Sequence, residues 1–218
     1  MLTIYSGLMG SGKSYHAVAK AKEYLLKGKN VYVNFYLDFR DYQPPKTWIQ
    51  KIFFFIKPKP LIIPWQNCYR FNDISDLAYM RNGICILDEG HWNLFSRDWK
   101  DLDKRTVGYI TNSRKIEMDI VIITQSFGML DVIARSLTSS VVVHNAFGGG
   151  WTKQHKPKAP WIVFFKEFDP LELAKTRKKS FYSQWTVFDK NLADCYSTHQ
   201  IFGVLPEDAK TFKLSYEN

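Results

Sequence analysis

Short, continuous apolar runs recur along the first 150 residues, and each gives way to a polar or glycine-rich stretch. They occupy residues 2–5, 84–87, 120–123 and 141–144. Runs of this length that are rich in β-branched residues predict strands buried on both faces of a sheet. A further β-branched and aromatic run at residues 31–36 predicts one more strand, the second along the chain.

Segments with helical character lie between these runs. Residues 14–26 are rich in helix formers and end two residues before Gly28, a typical C-terminal stop. Shorter helices are predicted at residues 73–82, with Asp73 as N-cap and Gly83 as stop, at residues 101–115 and at residues 130–137. Strands that alternate with helices at short spacing predict an α/β fold with a doubly wound, mainly parallel sheet.

An apolar insertion at about residues 48–70 interrupts this alternation. Two apolar stretches, residues 52–56 and 61–65, flank the run Lys57-Pro58-Lys59-Pro60. This pattern favours a hairpin that covers one face of the core. The alternative is an exposed flap that docks onto a partner or a membrane.

A phosphate-binding motif follows the first predicted strand and opens the first predicted helix. The residues from Gly7 to Ser14 fit G-x-x-x-x-G-K-[ST] without a mismatch. In this motif backbone N–H groups surround the β-phosphate, Lys13 reaches the β- and γ-phosphates, and the Ser14 hydroxyl binds Mg²⁺. We therefore expect ATP to contact Gly7, Leu8, Met9, Gly10, Ser11, Gly12, Lys13, Ser14 and Tyr15.

Polar residues at the ends of two other predicted strands supply the remaining chemistry. Asp88 and Glu89 follow the run at residues 84–87, and Gln125 closely follows the run at 120–123. We expect Asp88 to hold Mg²⁺ and Glu89 to polarise the attacking water. In P-loop ATPases with a catalytic glutamate, the strand after the Asp-Glu strand is inserted beside the P-loop strand. Gln125 would then face the γ-phosphate, and the fold would be of this additional-strand, RecA-like type.

Composition and charge bear on the partner. The chain has 218 residues, 45% hydrophobic and 16% aromatic, and a formal net charge of +9, which favours a polyanionic partner. Residues 151–179 mix basic residues with aromatic ones, a composition suited to a nucleic-acid backbone. The alternative is a solvated basic face. The sequence predicts a core at residues 1–150, a C-terminal extension at 151–218 packed on it, and a DNA-binding cluster of Lys175, Arg177, Lys178 and Lys179.

Cysteine usage and hydropathy bear on the compartment. Cys68, Cys85 and Cys195 have no C-x-x-C spacing, so neither a disulfide framework nor a zinc site is indicated. No apolar run in the sequence approaches the roughly 18–20 residues of a membrane span. These features predict a soluble protein of the cytoplasm.

Several of these motifs together resemble a known family. The segments concerned are residues 4–7 with 12–18, 87–91, 112–115 with 119–125, and 187–190 with 195–198. They are similar to the zonula occludens toxin-like ATPases, which are assembly proteins of filamentous bacteriophages. These belong to the broader FtsK–HerA class of DNA motors, which also contains the packaging ATPases of tailless, membrane-containing viruses.

The resemblance implies an ATPase that uses Lys13, Ser14, Asp88, Glu89 and Gln125 as described and moves viral DNA during virion assembly. It also implies a homo-oligomer, most often a hexameric ring, that acts with capsid or membrane assembly partners. Such proteins usually continue into a membrane-spanning segment. This chain is therefore expected to be either the cytoplasmic portion, at the inner membrane, or a soluble genome-packaging ATPase.

A ring motor usually needs a guanidinium that a neighbouring subunit delivers to the γ-phosphate. Arg114, about ten residues before Gln125, is the candidate, followed by Arg135 and Arg105. The alternative is that Arg114 only stabilises the end of its helix. Two other classes of function also stay open: a P-loop nucleotide kinase, which has no use for Glu89, and a nucleotide-dependent binding module.

Overall fold

An eight-stranded sheet forms the centre of the fold. The computed structural model describes residues 1–45, 61–72, 74–88, 104–130, 132–148, 150–151, 157–158, 160–174 and 179–197. The strands of this sheet are β1 (Leu2–Ser6), β2 (Asn30–Val33), β4 (Cys68–Arg70), β5 (Gly83–Leu87), β6 (Met118–Thr124), β7 (Ser140–Phe147), β10 (Ile162–Phe168) and β11 (Tyr182–Val187). Their order in the sheet is β11-β10-β7-β1-β6-β5-β2-β4.

Two short strand pairs and four α-helices accompany the sheet in the described part, together with short 3-10 helices. Strand β3 (Tyr36–Leu37) pairs with β12 (Tyr196–Ser197), and β8 (Gly150–Trp151) pairs with β9 (Pro157–Lys158). The α-helices are α1 (Lys13–Leu26), α2 (Lys104–Thr111), α3 (Val132–Leu137) and α4 (Lys190–Ala193). None of the helices in these segments combines the length and hydropathy that a membrane crossing requires.

The position of β6 confirms the predicted fold class. Strand β6 lies between β1 and β5 and is parallel to both, with Ser6 opposite Thr124 and Leu87 opposite Ile122. The strand after the Asp-Glu strand is thus inserted beside the P-loop strand, as in the additional-strand type. Because these strands are parallel, their carboxyl ends meet at one edge of the sheet, where the chemistry of such folds is found.

Both faces of the sheet are covered, which explains why the apolar runs are continuous. Val18, Ala21 and Leu25 of α1 belong to the buried cluster on one face, together with Ile84 and Ile86 of β5. Cys85 and Leu87 of the same strand belong to the cluster on the other face, with Tyr109 of α2 and Ala134 of α3. Alternate residues of one strand therefore serve two hydrophobic layers, which confirms the doubly wound interpretation.

The predicted strand at residues 31–36 is wrong in its second half. Strand β2 ends at Val33, the chain bends, and Tyr36 and Leu37 form β3 in a separate ladder with β12. The second half of the predicted hairpin is also wrong. Residues 61–64 form no strand, and a single 3-10 turn, Trp65–Asn67, follows Pro64. Proline lacks the N–H that a strand needs, and residues 46–60 lie outside the described part.

The predicted helix at residues 73–82 is a 3-10 helix, Ile74–Tyr79, and its proposed N-cap, Asp73, lies outside the described residues. Its predicted stop is wrong, because the left-handed residue there is Asn82, with φ of 49°. Gly83 instead begins β5. A Cβ at this position would lie 2.0 Å from the Asn30 carbonyl oxygen, so the glycine permits close approach of β2.

Residues beyond 150 contribute to the same sheet. Strand β10 is antiparallel to β7, and β11 is antiparallel to β10, so both extend the sheet at one side. The helix predicted at residues 101–115 is α2 followed by a 3-10 turn, Ser113–Ile116, and the helix predicted at 130–137 is α3. The division of the chain at residue 150 stays a prediction.

Candidate nucleotide-binding site

The Gly-rich loop lies between the end of β1 and the start of α1. Two of its three glycines, Gly7 and Gly12, are required by the close approach of neighbouring strands. A Cβ at Gly7 would lie 2.7 Å from the His144 carbonyl oxygen of β7. At Gly12 it would lie 2.6 Å from Val163 Cγ1 of β10, and φ there is +92°, a conformation that L side chains rarely adopt. The loop is therefore packed tightly on β7 and β10.

The side chain of Lys13 lies inside the loop and is hydrogen-bonded to its backbone. Its Nζ donates hydrogen bonds to the carbonyl oxygens of Gly7, at 2.7 Å, and Leu8, at 2.9 Å. The side chains of Leu8 and Met9 are about four-fifths exposed, at 80% and 79%. The ammonium group thus already sits within the turn that would surround a phosphate, as the motif predicts, with the outer half of the loop open to solvent.

The two predicted metal ligands are in direct contact. Ser14 Oγ donates a hydrogen bond to Asp88 Oδ2 at 3.0 Å, although the residues are 74 positions apart in the chain. A hydroxyl and a carboxylate oxygen are hard ligands of the kind Mg²⁺ prefers, and this ion usually takes few protein ligands beside phosphates and water. The described residues contain no group of three or more His, Cys, Asp or Glu side chains placed to hold a metal ion. The pair therefore fits a magnesium ion that a bound nucleotide would help to hold.

The other predicted catalytic residues are distributed over both edges of the sheet. Gln125 is exposed and directly follows β6, so it lies at the same edge as the Gly-rich loop and Asp88. Arg114 is also exposed, but it precedes β6 and lies at the opposite edge. Seven residues of strand span about 23 Å, so Arg114 is remote from the phosphate site of its own chain. Glu89, the residue after Asp88, lies outside the described part.

The remaining predicted site residues are only partly described. Lys179 is exposed just before β11, whereas Lys175, Arg177 and Lys178 lie outside the described residues. Tyr15 is buried, and its side chain points to the C-terminal extension rather than to the loop. Its hydroxyl accepts a hydrogen bond from the Asp189 N–H at 2.9 Å, and its ring lies 4.8 Å from that of Phe188. Contact between Tyr15 and a nucleotide is therefore restricted to its backbone.

Asn34 was not identified from the sequence, although it belongs to this edge. Its side chain forms two hydrogen bonds with the backbone of Asp88, at 2.7 and 2.9 Å. A usable signal was present, because Asn34 directly follows an apolar run, as Asp88 does. The run at 31–36 predicts one continuous strand, which places Asn34 inside the strand rather than at its end.

A buried histidine pair beneath the loop was also missed. His16 Nδ1 of α1 and His144 Nε2 of β7 are 2.8 Å apart, and the His16 ring stacks on Tyr5 and Phe165. Burial, followed by the neighbouring His144 and Lys20, lowers the pKa of His16 to about 3. Burial lowers the pKa of His144 to about 4, against hydrogen bonds to two backbone carbonyls. Both rings are therefore neutral at physiological pH.

The pair makes the stability of the fold depend on pH. Both pKa values are lower in the folded than in the unfolded state, so the unfolded state binds protons first as pH falls below about 6.5. The free energy of unfolding should be nearly flat between pH 7 and pH 8 and should fall between pH 6.5 and 5 by about 1 kcal/mol per pH unit for each histidine. Urea unfolding across this range measures the slope. His16→Gln, which cannot titrate, should make it shallower, and an unchanged slope would contradict the assignment.

Comparison with known proteins agrees with the geometry. The family described as zonular occludens toxin (Zot) matches residues 1–157. The Gene 1 protein of Escherichia phage If1 is 30% identical over 146 residues, which cover 65% of this chain and 40% of that protein. The Gene 1 protein of Enterobacteria phage M13 is 28% identical over 221 residues, which cover 90% of this chain and 59% of that protein.

A solved structure shares the fold. The N-terminal domain of zonular occludens toxin from Neisseria meningitidis superposes with a TM-score of 0.50 and 17% sequence identity, over 90% of this chain and 98% of that one. The phage relatives are longer, since the matched region covers only 40% to 59% of their length. The family match nevertheless extends over most of the 218 residues and includes the Gly-rich loop, Asp88 and Gln125. The resemblance inferred from the motifs is thus confirmed, and the chain belongs to the zonular occludens toxin (Zot) family.

Proposed function

We propose that this chain is a magnesium-dependent ATPase that drives the movement of viral DNA during virion assembly. The observation that carries the proposal is the joining of three groups at one sheet edge: the Gly-rich loop, Lys13 inside it, and the Ser14–Asp88 pair. Family membership supports the viral context. A parallel sheet with β6 inserted between β1 and β5 is the framework that ATPases with a catalytic glutamate use.

The proposed reaction is the attack of water on the γ-phosphate in line with the leaving ADP oxygen. Loop N–H groups and Lys13 bind the β- and γ-phosphates. Ser14 and Asp88 would hold Mg²⁺, which neutralises phosphate charge when it is bound. Glu89 accepts the proton of the attacking water, and Gln125 contacts the γ-phosphate. The products are ADP and inorganic phosphate.

The proposed partner is viral DNA, which the positive charge of the chain would attract. We further propose that the chain works as a homo-oligomeric ring, with six subunits as in other DNA motors of this class. Because Arg114 lies at the edge of the sheet away from its own loop, it could serve only the site of a neighbouring subunit. The host cytoplasm, at the inner membrane, is the proposed location, with capsid or membrane assembly proteins as further partners.

Turnover measurements test the proposal. The chain should hydrolyse ATP only with Mg²⁺, and DNA should stimulate the rate. A nucleotide kinase would instead consume ATP only when a nucleoside monophosphate is present as acceptor. A binding module would bind ATP without turnover, so the three classes give three different results.

Neutralising the predicted DNA-binding cluster should weaken DNA binding and flatten its salt dependence. If Lys175, Arg177, Lys178 and Lys179 each neutralise a phosphate, changing all four to glutamine should reduce the slope of log K against log salt by about 3. Fluorescence anisotropy with a labelled oligonucleotide measures both quantities. A matched variant removes four charges elsewhere, at Lys20, Lys27, Lys29 and Lys115. Equal slopes in the two variants would show that only net charge matters.

A further inference from the structure

Asn34 holds both peptide groups that flank Asp88. Its Oδ1 accepts the Asp88 N–H at 2.7 Å, and its Nδ2 donates to the Asp88 carbonyl oxygen at 2.9 Å. The accepted N–H belongs to the peptide that joins Leu87 to Asp88. The carbonyl belongs to the peptide that joins Asp88 to Glu89. One side chain thus fixes the orientation of the chain immediately before and after the carboxylate.

The register of the sheet explains why a side chain is needed there. Strands β2 and β5 pair in parallel up to Val33 opposite Ile86. Continuation of the same register would place Phe35 opposite Asp88. The backbone instead bends after Val33 and forms β3, which pairs with β12. The amide of Asn34 therefore replaces the backbone groups that β2 no longer supplies, and Asp88 keeps two hydrogen bonds that the bend would otherwise remove.

The position matters because Asp88 is the metal ligand of the proposed site and receives the Ser14 hydroxyl. A ligand of Mg²⁺ must be held closely, since this ion demands near-ideal octahedral geometry. Loss of the two hydrogen bonds would remove the restraint that Asn34 places on the backbone of Asp88. Groups beyond the ligands themselves commonly change metal affinity or activity by about 10–100-fold.

We propose that Asn34 is a positioning residue that holds the backbone of Asp88 and so keeps its carboxylate placed as a metal ligand. The inference rests on the proposed ATPase function, because it assigns Asn34 to the metal half of that site. It does not involve direct contact between Asn34 and the nucleotide. Asn34 should therefore affect the magnesium-dependent part of ATP binding and the rate of turnover, but not the affinity for metal-free ATP.

The chain offers a matched control in Asn30 at the other end of β2. Asn30 Nδ2 also donates to a backbone carbonyl, that of Arg81, at 3.1 Å, but at the edge of the sheet away from the loop. Asn30→Ala thus removes the same kind of group from the same strand. Comparison of Asn34→Ala with Asn30→Ala separates a general effect on β2 from an effect on Asp88.

The experiment measures binding of a fluorescent ATP analogue to both variants and to the unchanged chain, first with EDTA and then with Mg²⁺. Asn34→Ala should bind the analogue like the unchanged chain in EDTA, should lose most of the gain in affinity that Mg²⁺ gives, and should lower kcat for ATP by about 10–100-fold. Asn30→Ala should match the unchanged chain throughout. Thermal unfolding shows whether each variant is folded.

Other results would overturn the inference. If Asn34→Ala keeps both kcat and the gain in affinity that Mg²⁺ gives, Asp88 needs no support from Asn34. If Asn34→Ala binds the analogue more weakly in EDTA, the role of Asn34 is structural. If the unchanged chain binds ATP but does not hydrolyse it, the proposed function fails, whereas the affinities still decide the role of Asn34. If Asn34→Ala does not fold, the uncharged and nearly isosteric Asn34→Leu serves instead. It cannot bond to the backbone of Asp88, and kcat should fall while affinity in EDTA is kept.

Discussion

Glu89→Gln is expected to lower the rate of ATP hydrolysis by about 10²–10⁴-fold while ATP binding stays nearly unchanged. The substitution keeps the size of the side chain and removes only its ability to accept a proton from water, which is the contribution of a general base. The proposed magnesium ligands, Ser14 and Asp88, and Lys13, which is proposed to bind phosphate, stay in place. Phosphate release measures the rate, and a fluorescent ATP analogue measures the affinity.

Glu23→Gln is the matched control for this experiment. Glu23 is an exposed residue of α1 that pairs with Lys20 at 3.3 Å, an interaction of little energetic value at the surface. The control should hydrolyse ATP at the rate of the unchanged chain. Should Glu89→Gln hydrolyse ATP at that rate as well, another residue is the base. A loss of binding rather than of rate would place Glu89 among the groups that hold the nucleotide.

The predicted site residues that the structure brings together belong to motifs that are local in sequence. The Gly-rich loop and the Asp-Glu strand end are each contained in a few consecutive residues, so their patterns are readable without knowledge of the fold. A rule about ATPases with a catalytic glutamate predicts that β6 lies beside β1, and the structure confirms this. Gln125 therefore lies at the same edge of the sheet as the Gly-rich loop. The continuous apolar runs predicted the buried strands because both of their faces are covered.

The parts that were missed depend on contacts between distant residues. The Asn34–Asp88 hydrogen bonds join positions 54 residues apart, and the histidine pair joins positions 128 residues apart. The end of an apolar run is a local signal for Asn34, but neither contact can be predicted from neighbouring residues, because each is created by the register of strands or by the packing of α1 on β7. The bend after Val33 is of the same kind, since β3 exists through its pairing with β12 near residue 196.

Lys13→Ala is expected to weaken ATP binding itself, by about 10–100-fold. A hydrogen bond to a charged group is worth about 1.5–3 kcal/mol, and each 1.4 kcal/mol is a factor of ten in affinity. The ammonium group of Lys13 bridges the carbonyl oxygens of Gly7 and Leu8, so its removal also leaves the turn less ordered before the nucleotide arrives. Both effects act on phosphate binding and neither requires a metal ion. The loss should therefore be the same with EDTA and with Mg²⁺.

Ser14→Ala is the variant with which the loss of affinity in Lys13→Ala is compared. Lys20→Ala, one to two turns further along α1, is the control for the loss of a positive charge. Ser14 is assigned to the metal, so its loss should weaken binding only when Mg²⁺ is present. Isothermal titration of ATP into the three variants, with and without Mg²⁺, gives six affinities that must follow this pattern. If Lys13→Ala loses affinity only with Mg²⁺, Lys13 acts on the metal rather than on the phosphates. If it matches Lys20→Ala in both conditions, the ammonium group inside the loop serves the fold and not the nucleotide.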